Sequence, residues 1–336
     1  MTLPTLNPHM SVKLPIDRTV SSVVRDGWRL LCWPVWNHQD RRLRAPLRAV
    51  LPLILTFFAF FPIQEVVRGQ FEGKTVVGSL EAAGLLAVLV VAVLVSARII
   101  DRRPVREYGF AFDREWLRSF AVGGMIATAA NAGTVLVSIA AGWVSVTGFI
   151  GGSGPAPFLP ALLVVFAYVA IAASWEEFIM RGGMLKNLAE GANAYLPRWA
   201  AVGLAVLGSS AVFAFLHSGK IAHPSQAGYY LVAGLVLGGI YVFSGDLALP
   251  IGFHVFYNFT MASVFGLGVS QDSPEVMILD VVGPAFWIGE EGFARLVFAI
   301  IGGVLMLAYV RLRDGRLGLS DQITQWTPRD SKEETN

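Results

Sequence analysis

The chain has 336 residues, of which 54% belong to the hydrophobic set AVILMFWYC and 15% are charged, with a net charge of +2; its mean hydropathy is +0.58. Typical soluble chains are about one quarter charged, so this density cannot cover a water-exposed surface, and a soluble enzyme, a disordered chain and a nucleic-acid binder all fit poorly. The single cysteine, Cys32, leaves no internal disulfide framework or cysteine metal cluster, and what remains is a multi-pass membrane protein.

Residues 1–45 are polar and basic and lack the early apolar core of a cleavable signal peptide. They read as a cytoplasmic arm, with an interfacial helix near Val23 to Trp36. A bilayer-spanning helix needs about 20 mostly apolar residues. Spans are predicted at 46–63, 77–98, 119–146, 158–188, 199–218, 226–244, 248–268 and 293–311, an all-α polytopic fold around an intramembrane polar cavity. The first reads as an uncleaved anchor. The 57 residues between Arg118 and Glu176 contain no Asp, Glu, Lys or Arg, too long a run for one span, and Gly151-Gly152-Ser153-Gly154-Pro155 divides it. The fourth segment is longer than a crossing requires. Gly234-x-x-x-Gly238 in the sixth suits close helix packing. The eighth spans only with Arg295 snorkelling to the interface.

The distribution of basic residues is an independent check on this count. Alternating loops starting from the N-terminus collect 22 of the 26 Lys and Arg, Arg181 counted among them, and leave Arg68, Lys74, Lys220 and Arg295 on the other side. The connection 269–292 has no Lys or Arg and carries Asp272, Glu275, Asp280, Glu290 and Glu291. The rule places both termini, including a tail from 312 to 336, in the cytoplasm.

Ionisable groups inside a membrane are costly and mark function by default. Three segments carry them: Trp175-Glu176-Glu177-Phe178-Ile179-Met180-Arg181, Phe213-Ala214-Phe215-Leu216-His217, and His254-Val255-Phe256-Tyr257-Asn258. Residues four apart share a helix face, so Glu177 pairs with Arg181, Phe213 with His217 and His254 with Asn258. Glu176 sits about 100° around from Glu177, free for another partner. A carboxylate and two imidazoles can activate water, and an Asn amide can donate to a developing oxyanion. The same Glu176, His217 and His254 could instead hold Zn²⁺ with a position open for water. Ser209 and Ser210, about two turns from His217, match a serine nucleophile poorly.

The order Glu-Glu-x-x-x-Arg, Phe-x-x-x-His, His-x-x-x-Asn resembles the CPBP family of intramembrane proteases, also called Abi or CAAX-protease-like. The resemblance covers residues 158–262, which it makes the catalytic core, with 46–157 as accessory helices and 263–311 as an external loop and last helix. It implies Glu176 as water-activating base with His217, His254 and Asn258 as oxyanion stabilisers, and Glu177, Arg181 and Phe213 as support. The substrate implied is a membrane-anchored or membrane-delivered peptide, CAAX-type among the options, with the bilayer as the other partner. Zinc and a metal-free glutamate mechanism both stay open, although the short zincin motif His-Glu-x-x-His is absent.

Taken singly, the same residues have plainer readings. Glu176 and Glu177 could end a helix at the interface with Arg181 beside them, His217 could be interfacial, and Asn258 could be packing glue. His9 and His38 in the polar arm and Glu81 and Asp246 at helix ends are expected to have no catalytic role, and His223, before Pro224 in a short loop, reads as solvated. A transporter or proton relay, and a non-catalytic immunity or scaffold protein, are the competing functions. One geometric difficulty is visible beforehand. With straight helices His217 lies about 27 Å along its segment and His254 within about 10 Å of the start of its own, so the three groups meet only if segments are tilted or the fourth is overlong.

Overall fold

The computed structural model describes residues 34–221, 226–268 and 273–328. It divides into two compact units, Met1–Arg44 and Ala45–Asn336. In the first, β1 (Trp36–Asn37) pairs antiparallel with β2 (Arg42–Leu43). The Asn37 side chain accepts from the backbone N–H groups of Gln39 and Asp40, a local bond through which Asn favours turns. The expected interfacial helix lies outside the described residues up to 33, and Trp36 belongs to the ribbon.

The second unit is helical. α1 (Ala45–Gln70) and α2 (Lys74–Val95) come first, and α2 ends in a π turn at Ser96–Ile100. α3 (Arg114–Ala140) leads into β3 (Val144–Gly151). α4 (Phe158–Glu177), a π-helical stretch Phe178–Leu185 and α5 (Lys186–Asn193) follow one another without a break. α6 (Arg198–Leu216), α7 (Tyr229–Ser244) and α8 (Ala248–Phe259) complete the central part, and α8 is extended by a π turn at Thr260–Val264. β4 (Glu275–Val281) and α9 (Phe293–Asp314) close the chain.

Among the described residues, six helices are long and apolar enough to cross a bilayer, including Phe158–Asn193 as one run of 36 residues. Large apolar side chains such as Phe58, Leu136, Leu163 and Val304 stand exposed on them, a surface suited to lipid and not to water. The chain is a multi-pass membrane protein. The other two expected spans are present but short, α7 with 16 residues and α8 with 12. At 1.5 Å per residue α7 covers about 24 Å, less than the roughly 30 Å of hydrocarbon. α8 can be short because it is enclosed: nine of its residues are buried, and backbone surrounded by protein need not match the lipid.

Lipid is as apolar as leucine, so membrane helices associate through close packing rather than hydrophobic expulsion. α3 and α8 show how this works. A Cβ on Gly252 would stand 2.0 Å from the Phe120 carbonyl oxygen, and one on Gly123 would stand 2.5 Å from that of Leu249. Two missing side chains let the backbones touch.

Several boundaries differ from the sequence reading, each for a local reason. The third span begins at Arg114, because the Asp113 side chain caps it by accepting from Trp116 N–H. It ends at Ala140 rather than 146, since Gly142 takes a positive φ of 72° and the β-branched run after it forms β3. β3 pairs antiparallel with β4, Val144 opposite Val281 and Gly151 opposite Glu275, so the 269–292 connection carries a strand. The first span continues to Gln70, and Glu81 lies two turns inside α2 instead of at its end. Arg295 does not snorkel: it is 3% exposed and donates to Glu290 O, Tyr257 O and Asn131 Oδ1. The described tail folds back, with Ile323 fully buried and Trp326 Nε1 donating to the Asp101 carbonyl.

At one end of this unit a buried polar cluster ties the connections together. Glu190 on α5 accepts from Arg48 at 2.9 Å and Arg103 at 2.7 Å, and Asp101 accepts from Tyr108 at 2.6 Å and Asn187 at 3.2 Å. Burial, with the Asp101 charge next, pushes the Tyr108 hydroxyl well above its ordinary value, so it remains a donor. The ribbon of β3 and β4 occupies the opposite end.

Candidate active site

The three motif segments come together between these ends. Glu176 and Glu177 close α4 immediately before the π stretch, whose eight residues are all buried; π segments within α-helices are frequent at functional sites. Glu177 is completely buried. Its Oε1 accepts from Arg181 Nη1 at 3.0 Å and from His254 Nδ1 at 2.8 Å. Arg181, 1% exposed, also donates to the Gly234 carbonyl at 3.4 Å and lies 4.9 Å over the Phe213 ring. Arg181 is therefore an interior residue and not one of the basic loop residues with which its sequence position grouped it. A Cβ on Gly234 would stand 2.9 Å from that of Ser210. That residue lets α7 approach α6 and exposes the carbonyl that Arg181 uses.

Glu176 points to the other partners. Its Oε2 is 3.8 Å from His217 Nε2 and 3.8 Å from His254 Nε2, and it is buried with no direct hydrogen bond within the described residues. Those separations exceed a direct hydrogen bond and suit a shared water. The tautomers follow from the other ring nitrogens. His217 Nδ1 donates to the Phe213 carbonyl at 2.9 Å, and His254 Nδ1 donates to the Glu177 carboxylate. Neither partner can donate. In each neutral ring Nε2 then carries the lone pair, and both lone pairs face Glu176.

Asn258, one turn beyond His254 on α8, lines the two cavities that reach Glu176 from this side. The smaller, of about 80 Å³, is also lined by His217 and His254. The larger, of about 480 Å³, runs along α4 past Tyr168 and Ala172. Phe213, buried, holds His217 through its carbonyl and through ring contact at 4.3 Å between centroids.

The structure adds residues that the motif spacing passes over. Tyr230 stacks on His217 with centroids 4.6 Å apart and donates to Glu291 at 2.6 Å. Burial raises the Glu291 carboxyl above its ordinary range, against the lowering effect of that hydroxyl. Tyr229 and Tyr257 share a hydrogen bond of 3.2 Å, and Arg295 lies 4.0 Å over the Tyr257 ring. The available signal was Tyr229-Tyr230 opening an apolar segment, since a buried tyrosine hydroxyl needs a partner. Asp246 is bound by Arg313 at the far end, away from the site, and His38 belongs to the first unit. His9 and His223 lie outside the described residues.

Among the described residues no set of three or more His, Cys, Asp and Glu side chains is arranged to hold a metal ion. Glu176, His217 and His254, the zinc ligands the sequence allows, form no such set.

Comparison with curated proteins and with solved structures finds no match. Comparison with protein families does: residues 157–260 match the family described as type II CAAX prenyl endopeptidase Rce1-like. That stretch contains α4 to α8 and all three motifs, and the match agrees with the resemblance of those motifs to the CPBP family of intramembrane proteases.

Proposed function

We propose that the protein is an intramembrane endopeptidase that hydrolyses a peptide bond with a water activated by Glu176 and His217. The observation that carries this reading is the approach of two imidazole Nε2 atoms to one buried carboxylate oxygen, 3.8 Å each. A water between Glu176 Oε2 and His217 Nε2 meets two acceptors, which orient its protons away from the carbonyl carbon that its oxygen attacks. One proton passes to Glu176 as the C–O bond forms, and the carbonyl oxygen takes up negative charge. Asn258 and His254 face that oxygen. Because the Nδ1 proton of His254 is engaged by Glu177, donation from Nε2 requires the doubly protonated ring, whose charge Glu177 pairs with. Collapse of the tetrahedral intermediate breaks the C–N bond, and the departing amine takes the proton from Glu176. No step is routed through a metal.

Both termini are assigned to the cytoplasm by the excess of basic residues on one side. The substrate is a membrane-associated peptide segment. A peptide-cleavage assay in proteoliposomes tests the reading, with ion flux recorded alongside. Glu176→Gln, His217→Ala and His254→Ala are each expected to lower kcat by at least about 10²-fold, the usual worth of a general base or oxyanion donor, and activity is expected to persist in chelator. Full activity in Glu176→Gln would remove the proposal, and loss of activity in chelator with a stoichiometric metal would replace its water-activating step.

A further inference from the structure

The three cavities that touch Glu176 share a second residue, Lys220, just past the end of α6. The largest opens at a rim made by the end of α1 (Arg68), the start of α2 (Lys74 and Thr75), the turn after β3 (Gly152–Ser153) and the segment before β4 (Ser273–Pro274). Each of these positions belongs to the ribbon end of the unit. From there the cavity follows one face of α4, through Ala161, Val165, Tyr168 and Ala172 to Glu176. The spacing of three or four residues marks a single helix face. Fifteen residues at 1.5 Å make a groove of about 22 Å, the length of an extended peptide of about six or seven residues.

The other end of the unit is built differently. There Arg48, Arg103 and Lys186 are anchored to Glu190, Asp101 and the Glu107 carbonyl, Arg198 to the Leu319 carbonyl, and Arg313 to Asp246. Arg98, Arg102, Arg106, Arg114, Arg118, Arg311 and Arg316 lie on the same connections or in the helix turns that adjoin them. The ribbon end has Arg68, Lys74, Lys220 and Arg295. Basic residues accumulate in short cytoplasmic loops, so the rim faces away from the cytoplasm.

We infer that the site is loaded from the non-cytoplasmic side: an extended peptide segment presented at that face enters between Arg68, Ser153 and Ser273 and lies along α4 until its scissile bond reaches Glu176. The inference rests on the proposed catalytic role of Glu176. It makes the substrate class membrane-associated peptide segments that reach that face.

Thiol accessibility tests the placement without using activity. In full-length Cys32→Ala protein, Thr75→Cys and Ser153→Cys put a thiol on the rim, and Arg316→Cys puts one at the basic end. In intact cells a membrane-impermeant maleimide is expected to label both rim cysteines within minutes and to label Arg316→Cys only after permeabilisation, with denatured protein giving the full signal for each. Labelling of the rim only after permeabilisation, or no labelling of the rim in folded protein, would overturn the inference. A quenched membrane-anchored peptide then reports direction: at least tenfold faster cleavage in right-side-out than in inverted vesicles is expected, and the reverse ratio would also overturn it. External rim labelling with no cleavage in either orientation would leave the placement standing and count against the protease reading alone.

Discussion

Glu177 serves two partners at once, and the balance of charge around it sets what a substitution there will do. Arg181 neutralises it where both side chains are buried, while His254 draws on the same oxygen. Removing one member of a buried pair costs about 3–5 kcal/mol, because the survivor is left charged and unpaired. Arg181→Ala should therefore lower the thermal midpoint strongly. Replacing both as Glu177→Leu with Arg181→Met restores an apolar interior, so most of that stability should return. Cleavage should not return, since His254 would lose the acceptor that holds its Nδ1 proton. Recovery of activity in the double variant, measured beside thermal unfolding in detergent, would show that Glu177 has no part in orienting the ring. The pairing of Glu177 with Arg181 was legible from four-residue spacing alone. The second contact to His254, 77 residues away, was not, because spacing within one helix says nothing about which face of another helix it meets.

The elements were legible to the extent that their signals are local. Apolar run length and the Gly151–Pro155 break place the third and fourth spans near their observed positions. The boundaries moved where a cap or a positive φ intervenes, as at Asp113 and Gly142. The strands β3 and β4 were missed because Val144–Gly151 is as apolar as the helix before it and pairs with a partner more than a hundred residues away. The expected excess length of the fourth segment is observed, and it is longer than expected at 36 residues. Helix contact also makes a specific prediction. Gly252→Ala places a methyl 2.0 Å from the Phe120 carbonyl oxygen, which belongs to backbone and cannot rotate away. α3 and α8 must separate, at about 1–3 kcal/mol for overpacking, and His254 rides on α8. Both the unfolding midpoint and kcat should fall. An unchanged midpoint would show that the contact between α3 and α8 yields without cost.

Across the whole molecule, the polar cluster around Glu190 and the site around Glu177 are two buried charge networks joined by the α4–α5 rod. They should separate in experiment. Glu190→Ala removes one of the two carboxylates that Arg48 and Arg103 share and leaves them Asp101, and the expected loss is about 1.5–3 kcal/mol of stability, the worth of a hydrogen bond to a charged group. The folded fraction should keep its kcat/KM within about twofold, because changes at distant sites without shared partners act independently. Active-site titration combined with thermal unfolding checks this, and a large fall in kcat/KM per folded molecule would show that the two networks are coupled.

The sequence alone determined that the chain lives in a membrane and roughly where it crosses. It also identified the few side chains too costly to be there without a purpose. These are properties of composition and short spacing, and they hold however the helices are arranged. Only the tertiary structure decided that Glu176 and two imidazoles meet at one depth, that Arg181 and Arg295 are interior, and that a groove along α4 leads to the ribbon end. Depth depends on the buried short helix α8, the π stretch after Glu177 and the glycine contacts between neighbours, and each of these is a relation between segments that no single segment encodes.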